Sequence, residues 1–346
     1  MVEVGAQVQQ VRQIEQIDVW DDAAMATSYA IYRAGYTDGF PDDPLPTEAE
    51  VLAQARAKVT SESYEWWGLM VDGLQVGICR LDLPLADNLD LVDLSLAVAP
   101  EHQGRGHARS LLDHALQRCA ELGRHQVLGS VNEPPEGENR AMRFAAAAGA
   151  SRSLGEMRRT LDLEALDLDR LAALRAEAEA AAAGYHLVSW TGHCPDDLIH
   201  EYAALIARMS TDAPMGGIDL EPEHWDAARV REREAVMDGQ LRTEFATAAR
   251  HGENGPLVAY TDIVTTQHDP ANARQWDTLV LKEHRGHRLG ALVKVANLQL
   301  LRAKDPEARR VHTWNADENA HMIAINEAMG FTVAQRESCW RLDLPR

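Results

Sequence analysis

Gln103-Gly104-Arg105-Gly106-His107-Ala108 has the residue types to hold a phosphate. Gly104 and Gly106 carry no side chain to keep an anion away from the backbone, and Arg105 and Arg109 bring positive charge to the rim. A helix starting directly after such a loop presents N–H groups with no partner inside the helix, and its dipole favours a negative group there. The arrangement recurs at Arg285-Gly286-His287-Arg288-Leu289-Gly290. Each loop follows an apolar run, Leu94 to Val98 or Thr278 to Leu281, and each precedes a helical pattern. Neither is a dinucleotide fingerprint, which needs a third glycine in a parallel βαβ unit, and neither ends in the Gly-Lys-Ser/Thr of a P-loop. Further polar residues fall where they could serve a bound ligand. These are Asn315 and Asn319 after a strand-like run, the looser pair Asn132 and Asn139, Asn326 in the last helical run, and Asp277 just before the second loop's strand. His107 and His287 read as side chains flanking the loops, and Trp66-Trp67 as core or a wall of the acceptor site.

The elements that must position these residues also come in duplicate. Gln103 and Arg285 stand 182 positions apart. Gly149 and Gly330 stand 181 apart, as do Leu161-Asp162-Leu163 and Leu342-Asp343-Leu344. A near-constant offset across a loop, a helix end and a strand end marks a duplicated domain. In the first copy, helix is expected over 21–34 and from the Thr47-Glu48-Ala49-Glu50 capping box. Strands are expected over 66–71 and 76–81, joined by the hairpin turn Asp72-Gly73, then over 91–98, 126–131 and 158–163. Helices are expected over 109–122 and 139–148. The second copy repeats the order, with helices over 196–209, 221–237, 290–303 and 318–329. Its strands are expected over 186–190, 241–249, 257–264, 276–281, 310–314 and 339–344. Residues 164–183 read as a connecting helix. The boundaries are then 1–163 for the first domain, 164–184 for the connector and 185–346 for the second. The fold class is α/β (α+β), a mixed and mostly antiparallel sheet flanked by helices in each copy.

The 346-residue chain is long enough for two cores. Its formal charge of −20 argues against nucleic acid as partner, since phosphate-backbone binding needs a basic face. Cys79, Cys119, Cys194 and Cys339 form no C-x-x-C pair, and no His/Cys spacing suits zinc, so no metal is expected. There is no signal-peptide pattern and no stretch of transmembrane length, so a cytoplasmic protein without membrane contact, monomeric or homodimeric, is expected. The segment Met209 to Gly217, with Asp212 and the nearby Asp219 and Glu221, could form an acidic lid over a cationic amine.

The chain resembles a tandem member of the GNAT (Gcn5-related N-acetyltransferase) family, with a looser likeness to mycothiol synthase-like acetyltransferases. The family's loop reads Q/R-x-x-G-x-G/A after a V-x-V-like strand. Gln103, Gly106 and Ala108 match it, with Leu96-Ala97-Val98 as the strand; Arg285 and Gly290 match it again, with Arg288 in place of the central glycine. The resemblance implies acetyl-CoA as cofactor, bound by both loops and by the strands before them: Leu96 and Val98 in the first copy, Leu279, Val280 and Leu281 in the second. It also implies contacts from Asn315 and Asn319. The family's leaving-group Tyr would fall at Ala145 and at Asn326. Alanine cannot donate a hydrogen bond and an amide can, so the second copy is favoured as catalytic, with Asn326 as donor and Asp277 as candidate base. The implied reaction is direct acetyl transfer, in a ternary complex, to the primary amine of a small molecule. Transfer to a protein or peptide, or cofactor binding without catalysis, are the other readings.

Overall fold

The computed structural model describes residues 11–212, 216–218 and 220–345. The first copy runs β1 (Arg12–Gln16), α1 (Asp22–Tyr36), α2 (Glu48–Arg56), β2 (Glu62–Val71), β3 (Leu74–Pro84), β4 (Leu91–Val98), α3 (His107–Glu121), β5 (Gln126–Glu133), α4 (Arg140–Ala147) and β6 (Ser151–Asp162). The connector is α5 (Leu168–Ala181). The second copy runs β7 (Tyr185–Thr191), α6 (Ile199–Ala207), α7 (Met209–Asp212), α8 (Ala227–Gly239), β8 (Arg242–His251), β9 (Leu257–Thr266), β10 (Asn272–Val280), α9 (Leu289–Lys304), β11 (Arg310–Ala316), α10 (Ala320–Met329) and β12 (Thr332–Asp343).

Local chemistry sets most boundaries. Thr47 and Glu50 form the reciprocal capping box at α2. Asp72 and Gly73 both take positive φ, 51° and 81°, which turns β2 into β3 with the twist a two-residue hairpin needs. Helix expected from residue 221 begins instead at Ala227, because Asp226 caps it and Pro222 lies ahead; residues 220–226 run as a non-helical strap.

All twelve strands form one sheet, in the order β1-β2-β3-β4-β5-β12-β6-β11-β10-β9-β8-β7. The order reads the same from either end when each strand is exchanged for its counterpart six places on. The final strands cross over. β12 pairs antiparallel with β5 of the first copy, β6 pairs antiparallel with β11 of the second, and β6 and β12 pair with each other at the centre. Each half of the sheet is therefore completed by a strand from the other half of the chain. The pairings are antiparallel except β4–β5 and β10–β11.

The two faces carry different layers. Val92 and Val98 of β4 pack with Leu111 and Ala115 beneath α3, whereas Ala97 packs with Met25 and Ile31 beneath α1. This is the alternation of a strand buried on both sides. The copies also grip each other through their second helices. Glu50, at the start of α2, accepts from Arg242 Nε at 2.8 Å; its counterpart Glu232 in α8 accepts from the Thr60 backbone at 2.5 Å.

Candidate active site

β4 and β5 are paired only over Leu91–Asp93 with Gln126–Leu128. Beyond Asp93 the two parallel strands separate, and a cavity of about 780 Å³ fills the gap. It begins at Gly104, Gly106 and His107, passes between the strands, and ends at the loop following α1, against Tyr36 and Phe40. Leu96 and Val98 line it from one face of β4, Ala97 from the other.

The loop's shape follows from its residues. The Gln103 side chain donates to Val98 O at 3.2 Å, tying the loop to the strand five residues back. Gly104 and Gly106 have φ of +76° and +83°, and nothing but Arg12 Nη1 comes within 4 Å of a Cβ built at either. Gly106 is the N-cap of α3, and no side chain caps the helix. The N–H groups of His107, Ala108 and Arg109 thus lie in its first turn without intrahelical partners. His107 is 2 % exposed, and neither ring nitrogen has a partner among the described residues. Burial first, then Arg12, His102 and Arg105, push its pKa down. Arg109, Arg140 and Arg143 line the same cavity, and Arg140 donates to the Gln103 side chain. Unpaired amides, an orphaned imidazole and three arginines in a strongly acidic chain fit the diphosphate of a CoA-type cofactor.

The second loop reproduces the backbone with different side chains around it. Arg285 Nε donates to Val280 O at 3.2 Å, the counterpart of the Gln103 contact. Arg288 sits left-handed (φ 53°, ψ 22°) where Gly106 has φ 83°, so the turn survives the substitution. The guanidinium of Arg288 is held by Glu177 of α5, and Leu289 packs in the core with Leu171 and Ala178 of the same helix. A Cβ at Gly290 would meet Ile325 Cδ1 at 3.2 Å. Asn326 is fully buried and donates to Asn315 Oδ1 at 2.7 Å. Asn319 caps α10 through the Met322 N–H, as Asn139 caps α4. Asp277 accepts from Tyr260 Oη at 2.9 Å; burial, then the neighbouring Asp262, raise its pKa to about 6. Gly286 and His287 are exposed, the latter against Tyr185.

The offset of Gln103 to Arg285 carries through the loops and the strands before them. His287 is the counterpart of Arg105, and Leu289 that of His107. Leu279 corresponds to Ala97 and packs under α6, while Thr278 and Val280 correspond to Leu96 and Val98; Leu281 lies just beyond the strand. Asp212 is paired with Arg208 and Lys282, so it offers no free carboxylate as a lid, and Asp219 lies outside the described residues. Trp66 is core. The sequence reading missed Arg140, Arg143 and Phe40, and above all Trp340 and Leu342, which reach the first copy's cavity from β12. The repeat of Leu161 at Leu342 flagged that strand, but nothing in it signalled an exchange.

The family model for the acetyltransferase (GNAT) domain matches residues 62–149. A tandem GNAT protein from the clavulanic acid biosynthesis pathway, solved without acetyl-CoA, is similar over 97 % of this chain and 99 % of its own, at 28 % identity and a TM-score of 0.79. A Gcn5-related N-acetyltransferase from Sphaerobacter thermophilus is similar in fold, over 97 % of this chain and 96 % of its own, at 14 % identity and a TM-score of 0.65. No curated protein matches the chain. Among the described residues no helix is long and apolar enough to cross a membrane. The chain thus carries an acetyltransferase (GNAT) domain match in its first copy and is similar over nearly its whole length to a tandem GNAT protein.

Proposed function

We propose that the protein transfers the acetyl group of acetyl-CoA to the primary amine of a small molecule, and that the first copy holds the cofactor. The observation that carries this reading is the cavity of about 780 Å³ joining the Gly104–Gly106 loop to the gap between β4 and β5. The family match also falls on this copy. The sequence reading favoured the second copy because Asn326 can donate and Ala145 cannot. In the second copy that amide donates to Asn315 Oδ1, Arg288 pairs with Glu177, and a Cβ at Gly290 would meet Ile325, which supports the first copy instead.

Acetyl-CoA would supply the activated thioester. The α3 amides and His107 would take the diphosphate, with Arg109, Arg140 and Arg143 at the rim. The unpaired backbone of β4 past Asp93 offers N–H and C=O groups to an extended chain in the gap, and one strand N–H there could polarise a carbonyl. The gap opens on both faces of the sheet, so an acceptor amine can approach from the α1 side while the cofactor lies on the α3 side.

Calorimetry and thiol release test the assignment. A Gly104→Val/Gly106→Val variant should lose acetyl-CoA binding by at least about 100-fold, since side chains then occupy the diphosphate's approach. An Arg285→Ala/Gly286→Val variant should bind as wild type, and wild type should bind one acetyl-CoA per chain. Loss only in the second variant would move the cofactor to the second copy. No affinity in wild type would refute the reading.

A further inference from the structure

A second cavity, of about 570 Å³, lies between the copies on the α1 side of the sheet. Its floor is Glu62, Asp82 and Asp93 of the first copy; its opposite wall is Glu223, Trp225 and Arg233 of the second. We propose that this cleft is the acceptor site, that it takes a cationic di- or triamine, and that Asp93 is the base for the amine. The second copy then serves as the specificity wall of a reaction run in the first. The proposal rests on the first copy holding the cofactor.

The topology places Asp93 where a base is needed. It is the last residue of β4 paired with β5, opposite Leu128. Its neighbour Leu94 faces the first cavity, and successive strand residues face opposite sides, so Asp93 faces the cleft at the point where the gap opens. Tyr36 lines the inner end of the first cavity, near Ser95, two residues on from Asp93. Leu94 lines the first cavity and Asp93 the second, so adjacent residues of β4 bring the two cavities next to each other at the start of the gap.

Charge selects the acceptor. The arginines of the second wall are already engaged: Arg229 with Asp87, Arg233 with Glu244 and Asp262, and Arg242 with Glu50. Asp93 makes no hydrogen bond or ion pair to a described residue. The nearest cation on its own side, Arg80, is committed to Asp82 at 2.6 Å. Tyr36, Asp82 and Cys339 are the other titratable groups around it. Asp93 lines the cleft with its side chain exposed to it, and desolvation by the surrounding protein, opposed by Arg80, raises its pKa. For Asp82, burial outweighs Arg80, and its pKa rises to about 7. A floor of under-compensated carboxylates fits a ligand with more than one ammonium group, and the volume suits a small molecule.

The step balances as follows. The acceptor ammonium gives one proton to the Asp93 carboxylate. The freed lone pair forms the C–N bond at the thioester carbonyl, and the C–S bond breaks. The second nitrogen-bound proton leaves with the thiolate through water, giving amide and thiol, and Asp93 returns its proton to solvent.

The test uses the full chain with putrescine and spermidine as acceptors and n-butylamine as comparator. The amines should be acetylated with kcat/KM at least about 10-fold above n-butylamine. Asp93→Asn should lower kcat about 100-fold or more and remove the acidic limb of the pH profile, with acetyl-CoA affinity unchanged as the check on folding. Glu223→Gln, on the second copy, should raise KM for spermidine while leaving kcat and acetyl-CoA affinity near wild type. Wild-type turnover in Asp93→Asn, an unchanged KM in Glu223→Gln, or no preference for di- and triamines would each overturn the proposal. Absent acetyl-CoA binding in wild type would instead overturn the cofactor assignment.

Discussion

Replacing Lys294 by Met should stabilise the protein at neutral pH. Lys294 lies on α9 at the position equivalent to Leu112, which walls the first copy's cavity, and it is 1 % exposed. Its ammonium has no hydrogen-bond partner among the described residues and lies 5.8 Å from the Phe331 ring. Burial lowers its pKa from 10.5 to about 7, with Asp262 opposing weakly. The folded-state value is thus below the unfolded one, so the unfolded chain binds this proton more tightly. Stability from this group is fully present above about pH 10.5, falls as the pH is lowered, and levels off below about pH 7. At about 1.4 kcal/mol per pH unit, the cost at pH 7 is on the order of 4 kcal/mol, shrinking to about 1.5 kcal/mol at pH 9.5. Met conserves volume and removes the charge. Urea unfolding of wild type and Lys294→Met at both pH values measures the effect. The variant should be more stable at pH 7, with its advantage reduced by roughly 2–3 kcal/mol at pH 9.5. An advantage that does not change with pH, or a destabilised variant at pH 7, would refute the reasoning.

Two further outcomes follow from the exchange and the buried charges. A chain ending at Phe331 lacks β12, so it loses Trp340 and Leu342 from the cavity and leaves the inner edge of β5 unpaired; calorimetry should find no acetyl-CoA binding although every loop residue of the first copy remains. Arg233→Met strands Glu244 and Asp262, which are 2 % and 0 % exposed, and should cost about 3–5 kcal/mol in urea unfolding at pH 8. The loss should shrink at pH 5, where the two carboxylates can take up protons.

Where the chain's own neighbours in sequence decide the geometry, the sequence was readable. The capping box at Thr47, the Asp72-Gly73 turn and the glycine closing α10 all appear where their residue types require. The loop after β4 was readable for the same reason, because Gln103 bonds a carbonyl only five residues away. What the sequence did not record are contacts made by distant groups. Asn326 looks available on a helix, but Asn315 on the neighbouring strand takes its amide. Arg288 pairs with Glu177 on the connector, a contact no local pattern announces. Asp93 stood inside an expected strand, and no spacing pattern marks a carboxylate whose importance comes from where two strands part.

The sequence by itself determined that there are two copies of one α/β unit and that each has a glycine-containing loop at a helix start. Those features are fixed by backbone conformational limits, short-range hydrogen bonds and apolar periodicity, all of which act within a few residues. Only the tertiary structure decided that β6 and β12 change places, that a cavity opens where β4 and β5 part, and that a polar cleft forms between the copies. Those outcomes depend on pairing and packing between segments up to about 200 residues apart, as in the Gln335–Glu133 contact. The energies of such pairings are decided by which surfaces meet, and no local pattern records that choice.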